Sequence, residues 1–147
     1  MRRFVVMSGL ALLPALALGA CSGGSKTSGP ERAVIAKAEV ICQDTQDKVG
    51  SKLGDDPAAD RDAIRAATDQ LMAISAPTQN QQAWTLFVQS TNNLWITLDD
   101  VAQSLDPNVN DKARADRARA TVKTVNNLVK KYAADYNMPE CAKGYGR

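Results

Sequence analysis

The chain has 147 residues, with 18 Lys and Arg against 16 Asp and Glu, three cysteines and no histidine. The lack of histidine removes Ser–His and Cys–His nucleophiles, the commonest zinc ligands and the usual neutral-pH general base. The near balance of charge argues against nucleic acid as a partner, which calls for a clear basic excess.

Residues 1–20 have the three parts of a secretory leader. Arg2 and Arg3 give the positive start, residues 4–18 are uncharged and rich in Val, Leu and Ala, and Gly19-Ala20 supplies small residues for a cut. The apolar run is short for a membrane span and is broken by Pro14. Arg2-Arg3 also resembles a twin-arginine export signal. The flanking polar residues of that signal are missing, so the general secretory route is expected.

Leu18-Gly19-Ala20-Cys21 resembles the lipobox of bacterial lipoproteins: an aliphatic residue, two small residues, then cysteine. In that family the thiol receives a diacylglycerol, the leader is cut just before it, and the new amine is often acylated. The resemblance covers the leader alone. It implies that Cys21 is the lipidated first residue of the mature chain, on the outer face of the cytoplasmic membrane. Two or three acyl chains, at about 0.8 kcal/mol per buried methylene, would hold it there almost permanently. The plainer alternative is a secreted protein with a free thiol at Cys21. Loss of the leader removes Arg2 and Arg3 and leaves 16 residues of each sign.

Lipidation of Cys21 leaves Cys42 and Cys141, which an exported compartment permits to pair. The bond would close a loop of about 100 residues and stabilise by up to roughly 4–5 kcal/mol in the chain-entropy model. Two unpaired buried thiols are the alternative.

Residues 22–30, rich in Ser and Gly and closed by Pro30, read as a tether that spans about 15–18 Å. Residues 31–147 then form one domain, and their apolar spacing is helical with no sustained alternation of period two. The pattern predicts an all-α fold, an antiparallel up-down four-helix bundle.

The first helix is expected over residues 31–53, with Val34, Ala38, Ile41, Thr45, Val49 and Leu53 on one stripe and Gly54 as its stop. Asp56-Pro57 starts the second, an acidic cap followed by proline. Its stripe is Ile64, Ala67, Leu71 and Ile74, ending before Pro77. Thr78 and Gln81 fit a capping box for the third helix. That helix carries the clearest stripe, which runs from Trp84 through Phe87, Val88, Thr91, Leu94, Trp95, Leu98, Val101 and Ala102 to Leu105. Asn108 or Asn110 is expected to cap the fourth helix, with Ala118, Thr121, Val122, Val125, Val129, Tyr132 and Tyr136 inward. Asn137 should end it in a left-handed cap before Pro139. The tail would then fold back and bring Cys141 to Cys42.

Nothing here points to catalysis, a metal or a cofactor, and the domain reads as non-enzymatic. No C-x-x-C pair or phosphate-binding loop is present. Asp55-Asp56 reads as a helix cap and Asp99-Asp100 as a solvated turn of the third helix. Trp84 and Trp95 read as core anchors.

Residues 70–98 carry no charge. On the third helix the face away from the core holds Gln82, Thr85, Gln89, Asn92, Asn93 and Ile96, where solvent faces usually carry Lys and Glu. It is a candidate interaction surface, or else merely polar. Lys112, Arg119, Lys123 and Lys130 make a basic stripe with Asn126 on the fourth helix. It is expected to pair with Glu39, Asp44 or Asp47, with anionic headgroups or wall polymer the alternative.

The lipobox, the tether, the Ala/Asp-rich helices and the closing Tyr136-Asn137-Met138-Pro139-Glu140-Cys141 together resemble small actinobacterial lipoproteins, many of unknown function. Three functions fit the sequence: an anchored protein-interaction module, a carrier of a small amphiphile between helices, and a phage or prophage exclusion lipoprotein.

Overall fold

The computed structural model describes residues 29–146, with side chains from residue 31 onward, so the leader and Cys21 lie outside the described residues. It contains five helices: α1 (Gly29–Lys48), α2 (Pro57–Met72), α3 (Gln81–Ser104), α4 (Lys112–Asp135) and the short α5 (Pro139–Ala142). No strand occurs among the described residues. The four long helices pack as a bundle, and α3 and α4, at 24 residues each, are the longest.

The core follows the apolar periodicity. Ala38, Ile64, Leu71, Phe87, Leu94, Leu98, Val101, Val122 and Val129 are buried together, with Val34, Ile41, Ile74 and Trp95 packed partly against them. On α4 the inward positions Ala115, Ala118 and Ala133 are small, which lets its backbone approach α3 closely. Two stripe positions differ from expectation: Thr121 and Leu105 are exposed. Thr121 lies one position beyond the buried seam of Ala115, Ala118, Val122, Asn126 and Val129.

Helix ends show where local signals win and where they lose. Asp56 caps α2 as expected, its side chain accepting from Ala59 N at 3.1 Å with Pro57 in the first turn. Asn137 takes a left-handed φ of 61°. Its N–H donates to Ala134 O and that of Met138 to Ala133 O, so the last carbonyls of α4 are satisfied. The first helix stops at Lys48 rather than 53, and the second at Met72, short of Pro77.

The capping box of α3 does not form. Thr78 lies outside the helix, and Asn80 is the cap in a left-handed conformation without a side-chain capping bond. The Asn80 side chain instead donates to Asp135 O across the bundle. Neither Asn108 nor Asn110 caps α4. Asp111 does, accepting from Arg114 N at 2.9 Å, while Asn110 closes the preceding turn at φ 47°.

Asp99 and Asp100 stay partly solvated on α3 and also link it to both neighbours at one end: Asp99 takes Arg61 of α2 at 3.0 Å, and Asp100 pairs with Arg114 of α4. Backbone proximity runs α1 to α2, α2 to α3, α3 to α4, α4 to α5 and α5 back to α1. No direct backbone pairing joins α1 to α4. The seam between them is filled by α5 and the residues after it.

Candidate functional site

Two regions carry the residues singled out by sequence: the seam with its cysteines, and the outer face of α3. In the seam, Cys42 and Cys141 are joined as a disulfide, with an S–S distance of 2.15 Å and a Cα–Cα distance of 5.1 Å. Both are buried. Around them α5 is held by polar contacts from α1. Glu39 accepts from the Glu140 backbone N–H at 3.0 Å, and the Gln46 amide donates to Glu140 O at 2.7 Å.

Beyond α5 the chain runs along α4 as Gly144-Tyr145-Gly146. Tyr145 is 1% exposed and reaches the disulfide, its hydroxyl 3.9 Å from Cys42 Sγ. The Asn126 side chain clamps the backbone there, donating to Tyr145 O at 2.9 Å and accepting from Tyr145 N at 3.1 Å. Both flanking glycines have positive φ and no room for a side chain. A Cβ on Gly144 would meet Lys130, and one on Gly146 would lie 2.5 Å from Leu53 N. Asn126 read from sequence as part of the basic stripe. Its burial (8% exposed) was detectable only as a position one turn from both Val122 and Val129. An aromatic residue flanked by two glycines was the available signal for the tail.

A buried carboxylate organises the turn that Gly146 meets. Asp60, 2% exposed, accepts from Gly54 N at 2.7 Å. Burial raises its pKa above the ordinary value, and backbone hydrogen bonds from Gly54 and Gly50 partly offset that. At the other end of the bundle the Tyr136 hydroxyl donates to buried Glu31 Oε1 at 2.9 Å. Burial, reinforced by Glu31, pushes that phenol well above its usual range.

Part of the basic stripe is engaged near its own helix and part near α5. Glu39 is engaged with α5, Arg119 reaches Asp116 of its own helix at 3.4 Å, and Lys130 packs beside Gly144. Arg119 and Lys123 border a cavity described below.

On the outer face of α3, Gln82, Thr85, Gln89, Asn93 and Ile96 are exposed, as the period requires, and Asn92 is half-buried. Asn92 is committed locally: its Oδ1 accepts from the Trp95 indole N–H at 3.0 Å. Trp95 is also covered by the Arg65 guanidinium, 5.3 Å from the ring centroid. Thr85 donates back to Gln81 O, which leaves the amides of Gln82, Gln89 and Asn93 as the outward polar groups of the face. Ile96 is 47% exposed at one end of it. Met72, 58% exposed, stands beside the other end, where α2 and α3 leave a shallow groove lined by Trp84, Thr85, Val88 and Gln89.

Among the described residues no group of three or more Cys, Asp or Glu is placed to hold a metal ion, and no helix is long and apolar enough to cross a membrane. The fold and these surfaces define a small all-α bundle with a disulfide-closed seam. Comparison with protein families, curated proteins and solved structures found no match.

Proposed function

We propose that this is an envelope lipoprotein whose helical domain, tethered through acylated Cys21 outside the cytoplasmic membrane, acts by binding a protein partner and not by catalysis. The anchor rests on the lipobox resemblance and on the cysteine count. With Cys42 and Cys141 paired, Cys21 is the one cysteine left for modification.

The observation that carries the contact reading is the α3 face. It is exposed, uncharged and rich in amides, and it lies between two exposed apolar side chains, Met72 and Ile96. Such a surface loses little on desolvation compared with one of Lys and Glu, and amides can meet either donors or acceptors of a partner. Two experiments test the two parts. Intact-mass analysis of the processed protein should show a chain that begins at Cys21 and carries acyl groups; an unmodified thiol there would remove the anchor. Photocrosslinking from position 82 in intact cells should trap a defined partner. Gln89→Ala, Asn93→Ala and Ile96→Ala together should abolish that adduct with an unchanged melting temperature. An adduct that survives the triple variant would remove the face.

A further inference from the structure

The lower part of the seam is open. Because α1 and α4 are not paired directly, the tail occupies the gap between them, and its Gly146 lies against Leu53. A cavity of about 550 Å³ continues from that point between α4 and the α1–α2 turn. We infer that this cavity binds a single-chain anionic amphiphile, a carboxylate, sulfate or phosphate monoester on a short acyl or aryl body.

Three features support that ligand class. The volume lies within the range of small-molecule sites, and its floor combines the half-buried Leu53 side chain with the edge of Val122, the Asn126 side chain and the backbone at Tyr145. The rim carries Lys52, Arg119 and Lys123; Lys52 pairs with Asp55 and Arg119 with Asp116, each at 3.4 Å and exposed, so both pairs are weak enough for a bound anion to compete with. Arg119 and Lys123 stand one helical turn apart, where like charges repel, and an anion between them would relieve that repulsion.

The walls are also built before any ligand arrives. The α1–α2 turn is held by Asp60 through Gly54, and the tail by Asn126, both of whose amide groups are already engaged. The floor therefore needs nothing from the ligand but apolar contact, and polar recognition falls to the rim. The cavity lies at the far end of α1, 20 residues and about 30 Å from the start of that helix, where the tether enters. This favours a free amphiphile over one embedded in the bilayer that holds the anchor.

The test uses decanoate as probe and backbone amide NMR shifts of the residue 21–147 protein. Saturable shifts should appear at Gly54, Val122 and Gly146, weaken with added salt, and require at least about tenfold more decanol than decanoate. Arg119→Gln with Lys123→Gln should raise the half-saturating decanoate concentration at least about tenfold, at an unchanged melting temperature. If the double variant melts lower, Lys123→Gln alone is read, with a smaller shift in the same direction. Absence of saturation, equal response to decanol, or indifference to these variants would overturn the proposal. Phosphatidylglycerol vesicles should not displace decanoate; displacement would assign the rim to the membrane surface instead.

Discussion

The α3–α4 interface and the α1–α4 seam border the same helix but are held by different physics. Against α3, the small inward residues of α4 and the Phe87, Leu94, Leu98 and Val101 row give continuous apolar packing. Against α1, α4 has no close backbone partner, and closure falls to a few particular groups: the disulfide, buried Tyr145 and its Asn126 clamp, the hydrogen bonds of Glu39 and Gln46 to Glu140, and the Tyr136–Glu31 bond. The first kind of contact is spread over many small contributions. The second is concentrated, so single changes there should be severe.

The largest effect should therefore come from the cysteines. Cys42→Ala with Cys141→Ala, whose sequence separation is 99, should lower unfolding free energy by up to about 4–5 kcal/mol in denaturant titrations. Next, Tyr145→Ala and Phe87→Ala compare one large aromatic from each region, each expected to cost about 3–5 kcal/mol. They should differ in kind. Tyr145→Ala should speed amide exchange selectively in α5 and the tail, whereas Phe87→Ala should do so across α2, α3 and α4. Uniform exchange in both would erase the contrast between the regions.

A smaller loss isolates the polar clamp. Asn126→Ala leaves the buried Tyr145 N–H and C=O without their partner and should cost about 1–3 kcal/mol by thermal or chemical melts. Asp60 extends the same logic to pH. Its folded pKa is raised, so the native state favours the neutral acid. The associated stability is fully present below the ordinary value of 3.8 and is lost as pH rises through the folded value. Asp60→Asn keeps an acceptor without the charge. The stability difference should move toward the wild type as pH falls from 7, then flatten below 3.8. The opposite slope would mean that the hydrogen bonds outweigh burial. Smallest of all, Arg61→Ala should change stability by no more than about 1 kcal/mol, because its pair with Asp99 is partly solvated.

The same division decides what could be read from sequence. Four helices, their inward faces and the disulfide follow from a 3.6-residue apolar period and from parity, because such packing repeats along the chain. The exposure of Gln89, Asn93 and Ile96 follows from that period as well. Thr78 failed as a cap because Asn80 finds Asp135 across the bundle, a partner no local pattern contains. Asn126 and Tyr145 were missed for a similar reason. Each acts once, at long range, in a segment too short or too polar to show periodicity. The cavity beside them was hidden too, since it exists only because α1 and α4 stay apart.

The ring's closing piece also sets an order of assembly. Residues 141–146 follow all four long helices, so α2, α3 and α4 can zip as neighbouring hairpins while α1 waits for a strap made afterwards. Contacts between positions so far apart are slow to find, and an early α1 would stand with one flank uncovered. The folding chain would thus pass through a three-helix stage, and sulfur oxidation would be the step that commits it to the finished form.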